Sequence, residues 1–314
     1  MKFVVFAPRA RTGGPFALYQ LHDAIKRQGY ASEIAFYDSA KFVWNGLECT
    51  VKYKTDFYAP KLANIDPDVC FRFGPEDVLI FPEVKVSLMS KFQGFGFQNV
   101  VFWWLSWNNA PVQNIDRLDI ALSLSKAKHL FQSEFARLNA KEFGFEGMNL
   151  SDYTLNHNTA ANMATEKTYD LCYFAKKADG AEQVLHKLAQ RFRIKKIEKM
   201  KENEVADILK VTKFFLDFGI APGKDRIPRE AVLHGCVPIV RRVGAAKNDI
   251  DVPLPAYLKP TTSSMLDETY LIELIHSLEK NYAGALEDLE DYRKVILQEQ
   301  DTFMDEVQNF VCAC

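Results

Sequence analysis

A chain of 314 residues is long enough for two α/β domains of ordinary size, each with its own core. Its 48% hydrophobic and 25% charged content excludes a disordered or fibrous protein. A formal charge of −2 gives no sign of the basic surface that duplex binding needs, so nucleic acid is not expected as a partner.

The first predicted element, Phe3 to Ala7, is a buried-strand pattern; it is too short for a signal peptide and lacks a small-residue cleavage site. No apolar run reaches the roughly 18 residues of a membrane span, and the six cysteines lack metal-ligand spacing, so a reducing cytoplasm with free thiols is the expected setting. Gly13-Gly14 with Pro15 then predicts a loop entering a helix, whose apolar face carries Phe16, Leu18, Tyr19, Leu21, Ala24 and Ile25 and which Gly29 ends. A second strand, Ser32 to Tyr37, completes a β-α-β unit. The glycine pair is either a tight strand-to-helix turn or a loop lying close to a ligand phosphate or sugar. It lacks the third glycine of the dinucleotide fingerprint, and the chain has no Walker sequence, so classical NAD binding and ATP hydrolysis are not expected.

Alternation over Thr50 to Lys54 predicts an edge strand or hairpin. Ile65 to Phe73 and Asp77 to Phe81 read as strands, the latter ended by Pro82-Glu83, and Val84 to Phe92 reads as a helix. Asn99 to Trp107, the most hydrophobic run of the first half and closed by Asn108-Asn109, has the pattern of a central parallel strand whose end faces a cleft. Helices at Ala110 to Asp116 and Glu134 to Phe143 flank a short strand at Leu130 to Ser133. The polar segment Asn156 to Asn162 marks the domain boundary. The expected division is residues 1–155, residues 156–285, and a C-terminal helix over 286–314 that packs back on the first domain.

The pattern then restarts with a strand at Tyr169 to Phe174, a loop through Lys177, and a helix at Ala181 to Gln190. A strand at Arg191 to Ile197 and a helix at Asn203 to Lys210, capped by Asn203, come next. The basic run from Arg191 to Lys201 is read as a solvated helix face and strand edge, with a local patch for an anionic membrane or acceptor as the alternative. Two helices, Asp267 to Lys280 and Ala283 to Val311, finish the chain.

Between them lies the most informative stretch, Lys213 to Val240. It predicts a strand, a loop with Pro222, Gly223, Lys224, Asp225 and Arg226, a helix opened by Pro228, and a second strand. Ligands of open α/β sheets bind at the carboxyl ends of the strands, and a helix N-terminus there favours an anion. Lys177 and the Lys224/Arg226 pair fall at the predicted carboxyl ends of two different strands, which suits a diphosphate leaving group. Glu230 follows in the helix, where a carboxylate can accept both hydroxyls of a ribose. Taken singly, each reads as surface charge; gathered with Gly223, Pro228 and Gly235, they point to a site.

Gly13-Gly14 after the first strand and the Glu230-Ala231 to Gly235-Cys236-Val237-Pro238-Ile239-Val240 segment resemble GT-B fold glycosyltransferases. The run Pro222 to Glu230, with Trp103-Trp104-Leu105-Ser106, Gln132-Ser133 and Ser151-Asp152-Tyr153, is similar more narrowly to bacterial glycosyltransferase-like proteins of capsule and lipopolysaccharide clusters. The resemblance implies an α/β chain of two Rossmann-like domains facing a cleft. It implies a nucleotide-sugar donor on the second, a glycan or lipid-linked acceptor on the first, and transfer without an essential metal or other cofactor. By the same resemblance Glu230 would hold the donor ribose, and Lys177 and Lys224 the diphosphate, with Gly13, Gly14, Gly223, Asp225 and Arg226 around them. Many retaining members carry a second glutamate eight residues before the first; that position is Pro222, so the donor-sugar contacts and the stereochemistry stay open.

An inverting reaction needs a base for the acceptor hydroxyl, and the candidates are Glu83, Asp77 and His22, with Trp107 and Asn108 as acceptor-binding neighbours. Asp249-Ile250-Asp251 has the spacing of a metal-binding motif but lies in a proline-rich loop and reads as solvated. The leading expectation is a cytoplasmic glycosyltransferase, peripheral at the inner membrane face if its acceptor is lipid-linked. The alternatives are a nucleotide-sugar epimerase or hydrolase on the same fold, and a non-catalytic nucleotide-sugar or glycan-binding partner in polysaccharide assembly.

Overall fold

The computed structural model describes residues 1–10, 12–53, 70–110, 117–154 and 166–314. The helix expected at 110–116, most of the strand expected at 65–73 and the polar segment at 156–162 lie largely or wholly outside them. The chain forms two compact units: Met1–Asp152 with Gln300–Cys314, and Tyr153–Glu299.

The first unit is built on a six-stranded parallel sheet. Its strands are β1 (Phe3–Ala7), β2 (Ser32–Phe36), β6 (Val78–Pro82), β7 (Val100–Trp104), β8 (Lys128–Phe131) and β9 (Gly147–Asn149), in the order β2-β1-β6-β7-β8-β9. Every residue of β1, β6 and β7 is buried, as expected for strands covered on both faces. β3 (Ala40–Trp44), β4 (Cys49–Tyr53) and β5 (Phe71–Phe73) form a separate antiparallel sheet. Its inward residues meet the main sheet through aromatic contacts: Phe42 lies 5.6 Å from Phe6 of β1, and Phe73 meets the same ring edge-on at 6.2 Å.

Helix α1 (Gly13–Arg27) buries Phe16, Leu18, Tyr19, Leu21, Ala24 and Ile25, the face read from the sequence. It starts earlier than expected, because Gly13 and Gly14 are its first two residues and not a preceding loop. α2 (Val86–Gly94), α3 (Leu118–Ser125) and α4 (Glu134–Glu142) follow. Ser133, expected to end a strand, is instead the N-cap of α4 and accepts from Ala136 N at 3.2 Å.

The second unit has a four-stranded parallel sheet of β10 (Tyr169–Phe174), β11 (Ile194–Ile197), β12 (Thr212–Asp217) and β13 (Val237–Val240), in the order β11-β10-β12-β13. Phe214, Phe215 and Leu216 make β12 the buried centre, while Pro238 is tolerated because β13 is an edge strand. Its helices are α5 (Glu182–Leu188), α6 (Glu202–Lys210), α7 (Arg226–Leu233), α8 (Thr262–Met265), α9 (Glu268–Lys280) and α10 (Tyr282–Glu287). Asn203 does not cap α6: the N-cap is Lys201, whose N–H donates to Glu204 at 2.7 Å. The single helix expected over 283–311 is divided at Asp288-Leu289, where Leu289 turns inward and Asp288 accepts from the Tyr257 hydroxyl at 2.6 Å. Helix α11 (Glu290–Cys312) follows, beginning in the second unit and ending in the first. Its buried stripe is Tyr292, Ile296, Glu299, Phe303, Val307 and Phe310, apolar at every position except Glu299.

Candidate functional site

The carboxyl edge of the second sheet brings several charged side chains together. β10 ends in a 3-10 turn, Ala175–Lys177, and β12 ends at Asp217, before the loop that leads into α7. Lys177 Nζ lies 2.7 Å from Asp225 Oδ2 and 3.7 Å from Asp217 Oδ2. Burial alone would favour discharging Lys177, but the two carboxylates outweigh it and hold the ammonium well above the ordinary lysine range. Burial pushes the Asp225 carboxyl up, with Asp217 adding to it and Lys177 opposing. Asp217 is 2% exposed, and its Oδ1 also accepts from Gly219 N at 2.9 Å.

Asp225 is the N-cap of α7, yet its side chain makes no capping hydrogen bond. A helix usually satisfies its first N–H groups with such a side chain; here the carboxylate is committed to Lys177 instead. Pro228, expected to open the helix, is its third residue, a first-turn position where the missing N–H costs nothing. One turn on, Glu230 Oε1 accepts from Arg226 Nε at 3.2 Å and from its terminal nitrogen at 2.8 Å.

Lys224 is turned to Glu299 Oε1 at 2.9 Å. The fully buried Arg229 reaches Glu299 Oε2 at 2.8 Å and donates to the carbonyls of Asp225 at 3.2 Å and Lys224 at 2.9 Å. Sequence reading missed Asp217, Arg229 and Glu299. For Glu299 a signal existed, since a lone acid interrupts the apolar stripe of the last helix.

The loop is buttressed from the far side. Ala221 holds a left-handed backbone, φ +43°, and Gly244 lies so close that a Cβ there would stand 2.1 Å from the Ala221 carbonyl oxygen. Ala245 N donates to that same oxygen at 2.8 Å. Strained backbone in a loop at a strand's carboxyl end is a common mark of a ligand clamp.

In the first unit the expected residues separate into two groups. Glu83 directly follows β6 and Trp107-Asn108 follow β7, while Gly14 at the start of α1 lies over the Leu105 side chain; all stand at the carboxyl edge. Asp77 and His22 do not join them. Asp77 precedes β6 at the amino edge and accepts from Lys2 N at 2.8 Å and Gly74 N at 3.0 Å, which makes it a backbone clip. His22 is buried with Nδ1 2.9 Å from the Ser32 hydroxyl, at the start of β2, and burial, with Lys26 adding to it, lowers its pKa to about 4.

Glu83 is 4% exposed, and burial raises its pKa to about 8 despite hydrogen bonds from its own N–H and that of Leu105. Burial thus holds the proton on Glu83 through most of the neutral range and makes its carboxylate, once formed, a stronger base than an exposed one. Trp107 is a packing residue, stacked on Trp104 at 5.2 Å and 8% exposed, whereas Asn108 is exposed. In the Asp249-Ile250-Asp251 loop, Asp249 pairs with Lys259 and Asp251 accepts from Asn248 at 2.8 Å. Among the described residues no three His, Cys, Asp or Glu side chains are grouped as for a metal ion.

No protein-family model and no curated protein matches the sequence. The architecture matches solved structures, and the class it defines is the GT-B type, an α/β chain of two Rossmann-like domains. Among them are the trehalose-6-phosphate synthase OtsA, with a TM-score of 0.65 and 11% identity over 100% of this chain and 98% of that one. A variant of Staphylococcus aureus TarM in complex with fondaparinux, α-GlcNAc-glycerol and UDP gives 0.64 and 10% over 98% of this chain and 99% of that one. A sucrose-phosphate synthase from Thermosynechococcus elongatus gives 0.65 and 9% over 99% and 98%. At such identities the likeness speaks to the fold alone.

Proposed function

We propose that the chain is a glycosyltransferase that moves a sugar from a nucleoside-diphosphate sugar, held at the carboxyl edge of the second sheet, to a cell-surface glycan or lipid-linked acceptor. The observation that carries this reading is the commitment of the α7 N-cap carboxylate, Asp225, to Lys177, which keeps a cation beside a helix N-terminus not capped by that side chain. Support also comes from the shared fold, since one structure of that fold, TarM, is complexed with UDP.

In the transfer, the acceptor hydroxyl oxygen bonds to the anomeric carbon and the bond from that carbon to the distal phosphate oxygen breaks. The bonding pair leaves with the nucleoside diphosphate, and the hydroxyl proton passes to a base or to water. Lys177 and the α7 N-terminus would meet the charge gathering on the diphosphate, in place of a divalent ion or other cofactor. Glu230, with one oxygen held by Arg226, would turn its other oxygen to the ribose. A lipid-linked acceptor would bring the protein to the inner membrane face, where the exposed Lys196, Lys199 and Lys201 suit anionic headgroups.

A second reading, a non-catalytic nucleotide-sugar-binding partner, is favoured by one observation. Of the three expected bases, only Glu83 stands at the carboxyl edge, and burial raises its pKa to about 8, so the protonated form predominates at pH 7. Sugar nucleotides offered with and without a panel of saccharide and lipid-linked acceptors separate the readings. Release of nucleoside diphosphate only when an acceptor is present supports transfer. Conversion of donor alone indicates an epimerase or hydrolase, and tight binding without any turnover indicates the binding partner.

A further inference from the structure

We infer that Glu299, on the last helix, is a positioning residue for the diphosphate: through Lys224 and Arg229 it fixes the loop that leads into α7. This rests on the donor-site reading above. The geometry is direct. Glu299 is 3% exposed, and its two oxygens divide between Lys224 Nζ at 2.9 Å and Arg229 at 2.8 Å. The Arg229 guanidinium also donates to the carbonyls of Lys224 and Asp225, the two residues immediately before α7. The Asp225 side chain in turn holds Lys177. One carboxylate thus governs the placement of both proposed phosphate-binding lysines, one by contact and the other through Arg229 and Asp225. Thr154 N, near the start of the second unit, also donates to Glu299 at 3.2 Å.

Stability alone does not explain this charge. Desolvating a carboxylate and a guanidinium offsets most of their attraction, and well-packed apolar residues of similar volume often stabilise as much. Apolar side chains could fill the space but could not grip two backbone carbonyls or hold an ammonium. The charged arrangement supplies geometry at the point where backbone geometry decides how an anion is received.

The test uses the full chain and three pairs of probes: UDP and uridine, GDP and guanosine, ADP and adenosine. Dissociation constants are measured by calorimetry for the wild type, Glu299→Gln, Glu299→Asp and Glu306→Gln. Glu306 lies two turns further along the same helix, where it accepts from Ser151 N and Oγ at 2.7 Å in the first unit, and serves as a control for loss of a helix carboxylate. Expected are a loss of at least tenfold in diphosphate affinity for Glu299→Gln, a nucleoside affinity changed less than twofold, partial recovery in Glu299→Asp, and no change in Glu306→Gln. If Glu299→Gln does not fold, the double variant Arg229→Met/Glu299→Met, which leaves no unpaired buried charge on that pair, is expected to fold and to show the same selective loss. Diphosphate affinity retained in the folded variant, or equal losses for diphosphate and nucleoside, would overturn the assignment while leaving the donor site standing. If the wild type binds none of the diphosphates, the donor-site reading and this assignment fall together.

Discussion

Lys177 and Asp225, 48 residues apart in the chain, meet at 2.7 Å and so turn the N-cap carboxylate of α7 toward an ammonium and away from its own helix. Replacing Lys177 with Ala removes a cation from the proposed phosphate site and leaves Asp217, 2% exposed, without this partner. Diphosphate affinity is expected to fall at least tenfold, and stability by about 2–4 kcal/mol. Calorimetry and urea denaturation measure the two effects. Because its folded pKa is raised, the stabilisation from Lys177 is fully present below the ordinary lysine value and is lost only as pH rises through the raised one. No pH dependence from Lys177 is expected between pH 6 and 9.

Glu83 behaves in the opposite way across that range. Its folded pKa of about 8 exceeds the ordinary value, so the folded state keeps a proton that the unfolded chain gives up. Its contribution is fully present below about pH 4.3 and is lost progressively as pH rises to about 8. Glu83→Gln, which keeps the shape and cannot ionise, should flatten this slope and exceed the wild type in stability by a few kcal/mol at pH 8.5. Denaturation curves at pH 5, 7 and 8.5 check it; an unchanged slope in the variant would refute the buried neutral acid.

His22 and His129, both in the first unit, have pKa values lowered by burial to about 4. Each depressed histidine contributes fully above about pH 6.5, and the contribution is lost as pH falls from there to about 4. His22→Gln should reduce this acid slope, and since His22 lies toward the amino edge, nucleotide affinity should stay within twofold of the wild type. A large loss of affinity would return His22 to the list of site residues.

Trp107 and Asn108 are sequence neighbours in different surroundings, the first buried and the second exposed. Trp107→Ala should cost about 3–5 kcal/mol because it empties a space stacked on Trp104. Asn108→Ala, at an exposed position, should change stability by less than about 0.5 kcal/mol, so that any change in its acceptor KM reports binding and not folding.

The main architecture was legible because buried parallel strands are near-continuous apolar runs. β1, β7, β10 and β12 could be read directly, and with them the loop before α7 and the face of α1. What could not be read was pairing. Lys177, Lys224 and Arg226 looked alike as cations in loops, yet each is engaged by a carboxylate, and two of those acids, Asp217 and Glu299, lie 40 and 75 residues from their partners. Burial hides charge state as well: nothing around Glu83 in the sequence signals that desolvation raises its pKa to about 8. Local capping was harder still, since Asp225 is a good N-cap by residue type and is drawn to Lys177 instead.

The central claim is that the carboxyl edge of the second sheet holds a nucleoside diphosphate, with Glu230 on its ribose. The most direct test measures dissociation constants for UDP, GDP, CDP and ADP and for their 2′,3′-dideoxy counterparts, in the wild type and in Glu230→Gln. The account predicts that at least one diphosphate binds, that removal of its ribose hydroxyls weakens binding at least tenfold in the wild type, and that this discrimination disappears in Glu230→Gln. Binding by none of the diphosphates, or the same discrimination with and without Glu230, would contradict it.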